Sequence, residues 1–333
     1  MPASRSGLSI VEILVVLVCA LLLLMLVVPF IQNSRESQRL VSCQNRIRVL
    51  ASAIQLDTDD RGGRLPPLTE NEMPWTAGIL PKIPGTESIL IQFNDRPIQE
   101  QQPIHVPQLL CPNGQEYPVG KNCYIMNGGW GEFRTDDEGL VYEDKTHTIQ
   151  IDLNEDGEVS EAEELMIRAT GTIWRPDPVP SSWARTEIEA LDGLSQTIIL
   201  SETQNAKTWM SLETFNLAFV VGLDRITWGE APEQFDVTAK SLGPYTINSS
   251  RGGKEGHWPS PSSLHPDGVN VLFADGAFRT LSKEIDPLLY LRLMTPGGTA
   301  FGEARIEQST PQLPETIHKN EIEQPIRRDE EGS

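Results

Sequence analysis

Gly7-Leu8-Ser9-Ile10-Val11-Glu12 runs straight into an apolar tract that closes near Ile31, and from Ile13 to Ile31 no side chain is charged. With its flanking turn this stretch meets the ~20-residue requirement for a helix that spans a bilayer. Glu12 lies in the first turns of that helix, where an ionised carboxylate costs about 3 kcal/mol unless a partner supplies compensating charge. A conventional signal peptide would end its apolar region at a small-x-small site. Here Val18-Cys19-Ala20 is followed by Leu21 to Met25 without a break, and Val18 is too large for a lipoprotein site at Cys19. The competing reading is a plain signal anchor.

The Gly7, Glu12 and apolar-tract register resembles type IV pilins and the pseudopilins of type II secretion, whose precursors carry a short basic leader, a Gly, and a Glu at the fifth mature position. Residues 1–7, with Arg5, correspond to the leader, and Leu8 to the first mature residue. The resemblance implies cleavage after Gly7 by a prepilin peptidase, methylation of the new N-terminus at Leu8, and pairing of Glu12 with a neighbouring subunit's amine. Its departures are Leu8 in place of Phe and a leader with one basic residue.

Beyond the tract, Leu40, Cys43, Ile47, Leu50 and Ile54 recur at three- and four-residue steps, one face of a helix. The spacing predicts a continuous helix from Leu8 to about Asp57, roughly 75 Å long and bent at Pro29, whose residues 8–31 span the membrane and whose residues 32–58 lie on a globular domain. Asp59 to Pro67, with paired glycines and prolines, ends it and opens a domain over residues 59–300. Ile89 to Phe93 reads as a short strand. The chain of 333 residues has a formal net charge of −20, which argues against binding a phosphate backbone and leaves no nucleic-acid partner.

Cys111 and Cys123 bracket a polar, turn-rich interval in the domain. Lacking C-x-x-C spacing or nearby histidines, they read as a structural disulfide worth ~3 kcal/mol rather than a metal or redox pair. Free thiols are the remaining alternative.

Asp152 to Glu163 matches a calcium loop. The ligands would be Asp152, Asn154 and Asp156, the Glu158 carbonyl, Ser160 through water, and a bidentate Glu163, with Gly157 allowing the sharp turn. The bland alternative is an acidic surface turn. Ca2+ is therefore the expected cofactor.

Thr170 to Trp174 reads as a strand, Ile198 to Glu202 as a central one, and Leu217 to Val221 as another. Val269 to Leu281 reads as a hairpin turning at Asp275-Gly276, with Phe273 opposite Phe278 and Val271 opposite Thr280. His265, Asp275 and Gly276, with Asp192 to Ser195 and Cys111-Pro112, resemble a bacterial pseudopilin-like family called domain of unknown function 1559. One departure is Asp267-Gly268 where that family has Gly-Gly. The family implies architecture and export route, and no chemical reaction.

No nucleophile motif or phosphate-cradling loop accompanies His265, so its expected role is structural and the chain is not read as an enzyme. Residues 301–333 are acidic and poor in apolar residues, the composition of a disordered tail. The expected protein is α+β and pilin-like, with a long N-terminal helix on a mainly antiparallel sheet. It sits in the inner membrane as a single-pass, extracytoplasmic-facing subunit or accessory of a type II secretion or type IV pilus-like assembly, either alone or in a filament. Its partners are the prepilin peptidase and other pilin or pseudopilin subunits. An anchored calcium-dependent adhesion or ligand-binding domain is the alternative, and a hydrolase using His265 a more distant one.

Overall fold

The computed structural model describes residues 10–93, 96–112, 116–131, 133–136, 139–142, 157–159, 164, 168–175, 181–222, 247–248, 260–265, 268–285 and 287–297; the side chains of residues 12, 26–37, 130, 131, 133–136, 139–142, 221, 222, 287, 288, 291 and 292 also lie outside the description. The expectations for Gly7, Leu8, most of the calcium loop and the 301–333 tail therefore fall outside the described residues. The chain divides into two compact units, Met1–Ser42 and Cys43–Ser333. A single helix, α1 (Ile10–Asp60), contributes residues to both.

In the first unit, Ile10, Val11 and the large aliphatic residues from Ile13 to Met25 are exposed on every side of α1. Among the described residues no helix is long and apolar enough to cross a membrane. The sequence tract continues to Ile31, through side chains that are not described.

In the second unit the exposure of α1 becomes one-sided. Cys43, Ile47, Leu50, Ala53 and Ile54 are buried, whereas Leu56 faces solvent. This is the face set out by the three- and four-residue spacing, and burying each large aliphatic side chain contributes about 1.5–3 kcal/mol. The second compact unit therefore includes this half of α1 from Cys43 onward. The helix stops as expected after Asp60, where the Gly63 N–H bonds the Thr58 carbonyl at 2.8 Å and Arg61 pairs with Asp57 and Glu70.

The domain is built on a five-stranded sheet made from β3 (Tyr124–Gly131), β6 (Ile198–Glu202), β7 (Ala218–Gly222), β8 (Gly268–Phe273) and β9 (Phe278–Ser282), in the order β7-β3-β6-β8-β9. Among the described strands only the β3–β7 pair is parallel, so the sheet is mainly antiparallel and the fold α+β. Two small antiparallel pairs stand apart from it: β1 (Thr69–Glu70) with β2 (Met73–Pro74), and β4 (Phe133–Asp136) with β5 (Gly139–Tyr142). Strand β6 is the middle strand and all five of its residues are buried, as its unbroken apolar run predicted.

Side-chain alternation gives this sheet two buried faces. Tyr124, Met126, Leu200, Leu272 and Ala218 join the α1 residues in one core, with Arg48 stacked 4.6 Å from the Phe278 ring. Ile125, Phe219, Val269, Val271 and Phe273 are equally buried on the other. There the Asn127 amide donates to the Met294 carbonyl at the end of the C-terminal helix Pro287–Met294.

Three local expectations are corrected. Leu90–Phe93 is a 3-10 turn rather than a strand. Thr170 ends a helical turn, and among the described residues that follow Ile173 makes an isolated bridge to Ser182. The β8–β9 hairpin is out of the expected register by one residue: Leu272 faces Phe278 and Asn270 faces Thr280. The two-residue hairpin turns need positive φ at their first residue, here Asp275, but of the pair Gly276 alone has it, at 86°. With Gly276 N–H bonded to the Phe273 carbonyl and Phe273 N–H to the Ala277 carbonyl, the loop is three residues long and ends in a left-handed glycine.

Candidate functional site

Two neighbouring strands of the sheet, β6 and β8, each carry a polar residue that points into the core. Glu202 closes β6 two residues beyond Leu200, on the face shared with α1, and lies across from Tyr124 in β3. Asn270 interrupts the apolar run of β8 and meets the Glu202 carboxylate. Its backbone N–H donates to Oε2 at 3.0 Å, and its side-chain amide donates to Oε2 at 3.1 Å and Oε1 at 3.2 Å. The Thr280 hydroxyl donates to Asn270 Oδ1 at 2.8 Å, which fixes which end of that amide faces Glu202.

His265 comes to the same place on the segment that leads into β8. That segment is held to the end of β6, with Ser262 N–H bonded to the Glu202 carbonyl and Gln204 N–H to the Ser262 hydroxyl. Within it, the Ser263 hydroxyl accepts from the His265 N–H and donates to the Gly268 carbonyl.

The remaining two members are cysteines. Cys43 projects from the buried face of α1, Cys111 follows the 3-10 turn Pro107–Leu109, and the two form a disulfide with Cα atoms 5.3 Å apart and a sequence separation of 68. One donor atom from each of Cys43, Cys111, Glu202 and His265 lies within 4.8 Å of the others, and all four residues are buried. Cys111 Sγ sits 3.7 Å from Glu202 Oε1. A disulfide sulfur carries no proton to donate, so this is close packing rather than a hydrogen bond.

This arrangement corrects the expected Cys111–Cys123 bridge. The polar, turn-rich interval between Cys111 and Cys123 favours that pair, but what decides the pairing is where α1 docks, and docking brings Cys43 to Cys111. Cys123 is a buried free thiol. Its N–H bonds the Leu109 carbonyl, and burial pushes the thiol up to about 11, so it stays protonated and unreactive at neutral pH.

Burial also pushes the Glu202 carboxyl above its ordinary value, opposed by the Asn270 hydrogen bonds and by His265. A solvent-facing cleft of about 460 Å³ borders the cluster, with Arg46, His105, Glu116 and Tyr117 around Cys111.

The structure separates the other expected site residues. Asp275 sits in the exposed hairpin turn, accepting from the Ala277 N–H at 2.8 Å. His265 precedes the start of the same strand, roughly 20 Å away along six residues of β8. They form no acid-base pair, and the carboxylate facing His265 is Glu202. Glu202 ends a mainly apolar strand, and it is the residue of the site that the strand pattern alone does not single out. A charged residue in phase with buried Leu200, and an Asn between Val269 and Val271, were the available signals. Of the calcium-loop residues, Asp152, Asn154, Asp156, Ser160 and Glu163 lie outside the described residues. Glu158 and Gly157 are described, and Gly157 has φ 91°.

The comparison with known families covers most of this domain. Residues 32–288 match the family described as Protein of unknown function (DUF1559). The chain belongs to that family. The match takes in Cys43, Cys111, Glu202 and His265 and begins after the residues that carry the prepilin-like register. No curated protein and no solved structure is similar enough to add a further comparison.

Proposed function

We propose that this DUF1559 member is a membrane-anchored, pseudopilin-like subunit or accessory of a type II secretion or type IV pilus-like assembly. The observation that carries the reading is the change of character along α1. From Ile10 to Met25 its aliphatic residues are exposed all round, and from Cys43 to Ile54 one face alone is buried. A helix apolar on every side needs lipid or neighbouring helices around it. A helix apolar on one side needs only the domain it packs on. The Gly7 and Glu12 register adds a processing site in front of the first half and a charge for subunit pairing within it.

The mature protein is therefore expected to begin at Leu8 with a methylated amine, and Gly7 replaced by a bulky residue is expected to remain uncleaved. Mass spectrometry of the N-terminus checks both, and an intact Met1 in cells that possess the peptidase would sink the reading. Glu12→Ala is expected to insert normally yet fail to co-isolate with other pilin-like subunits, because the membrane cost falls while the charge pair is lost.

The loop Asp152 to Glu163 is proposed as a structural calcium site. Its ligand pattern supports this, as does the left-handed Gly157 at the sixth position, where the loop must turn sharply. Calorimetric titration of the full chain is expected to give one site with a dissociation constant on the order of 10⁻⁴–10⁻³ M, the range of extracellular modules. Asp152→Ala and Glu163→Gln should each abolish it and the rise in thermal midpoint that accompanies binding. An equal response in parent and variants would rule the loop out.

A further inference from the structure

We infer that the buried cluster is a zinc-class metal site whenever the Cys43–Cys111 bond is open: the two cysteine sulfurs, one Glu202 oxygen and one His265 nitrogen would form a four-coordinate centre. The disulfide and the metal are then two alternative closures of the same four side chains.

The geometry is already gathered. The four donor atoms lie within 4.8 Å of one another, against edges of roughly 3.5 Å in a tetrahedral zinc site. Opening the S–S bond frees both sulfurs to take up that spacing. Each ligand comes from a different element (Cys43 from α1, Cys111 from the turn after Leu109, Glu202 from β6 and His265 from the segment before β8), and all four are buried. Such a site is rigid and closed, as structural zinc sites are.

The carboxylate has the supporting shell that a metal ligand needs. Asn270 donates to it from backbone and side chain, and Thr280 holds Asn270 in turn. Two thiolates and an imidazole choose a soft or borderline cation over calcium or magnesium. The cleft at Cys111 offers the way in for both ion and reductant.

The chemistry balances with a phosphine as the reductant. The phosphine takes oxygen from water and becomes its oxide, and the two electrons and two protons convert the disulfide to two thiols. Each thiol then loses its proton to solvent on coordination, and the dication takes two thiolates, one carboxylate and one neutral imidazole.

The test uses the full chain in detergent, titrated with cobalt(II) and then zinc, before and after anaerobic reduction with a water-soluble phosphine. The oxidised chain is expected to give no thiolate-to-cobalt absorption. The reduced chain should bind one equivalent, with that charge-transfer band and the intense visible bands of four-coordinate cobalt, both removed by zinc and unaffected by excess calcium. Glu202→Gln and His265→Ala should each weaken binding at least tenfold, while Cys123→Ser leaves it unchanged. Absence of the charge-transfer band in the reduced parent overturns the inference even if a variant misfolds. So does a band that depends on Cys123, or one unchanged in both Glu202→Gln and His265→Ala.

Discussion

Replacing Cys111 by serine is expected to lower the stability of the oxidised protein by about 4 kcal/mol, the chain-entropy value for a loop closed over 68 residues. The alternative bridge, over the short interval between Cys111 and Cys123, would be worth about 3 kcal/mol, so size alone separates the two pairings poorly. Their response to reductant separates them well. Parent protein should fall to the Cys111→Ser level on reduction, and Cys43→Ser should match it. Cys123→Ser, which exchanges a buried thiol for a buried hydroxyl, should cost about 1 kcal/mol and keep the full sensitivity to reductant. Chemical denaturation with and without reductant measures this, and non-reducing peptide mapping should recover residues 43 and 111 in one fragment. A crosslinked Cys111–Cys123 peptide from the native protein would overturn the pairing.

Removing the Glu202 carboxylate is the second large effect. Glu202→Ala leaves the Asn270 N–H and amide buried without their acceptor, at about 1–3 kcal/mol for each stranded group, and opens a void at the end of the central strand. A loss of about 4 kcal/mol is expected in total. Glu202→Gln keeps the shape and reports on charge. Because burial raises the folded-state pKa of Glu202, the folded protein holds this proton to higher pH than the unfolded chain does. Its contribution to stability therefore falls as pH rises from the ordinary carboxylate value, about 4.3, through the raised one, and is constant below both. Thermal midpoints of parent and Glu202→Gln should converge towards about pH 4 and separate in the variant's favour towards about pH 7. A difference that does not change with pH would mean that Glu202 ionises as freely in the fold as in the unfolded chain.

The parts of the fold that local pattern controls were legible in the sequence. The burial of Cys43, Ile47, Leu50 and Ile54 follows from helical spacing, and the central place of Ile198 to Glu202 follows from an apolar run too short for a helix. Where two local solutions differ little in energy, the pattern was not enough. Asp275-Gly276 serves a two-residue turn and a three-residue turn equally well, and the choice moved the register by one. The cluster was less legible still, because it depends on contacts across the whole chain. Cys43 read as one more apolar residue on a helical face, and only docking of that face gives it a partner. Glu202 and Asn270 could have been flagged as polar residues inside apolar strands, yet nothing local says that they meet each other or His265.

The position of the disulfide along α1 has a mechanical consequence. Cys43 is the first residue of the second compact unit, so tension transmitted through residues 10–42 meets a covalent bond to Cys111 before it meets Ile47, Leu50 or Ile54. Without that bond, pulling on the N-terminal half would load the packed face from its near end and could peel it off the sheet one turn at a time. With it, part of the load passes through the bond into the loop that carries Cys111, whose Leu109 carbonyl accepts from the Cys123 N–H just before β3, and the apolar contacts of α1 carry less.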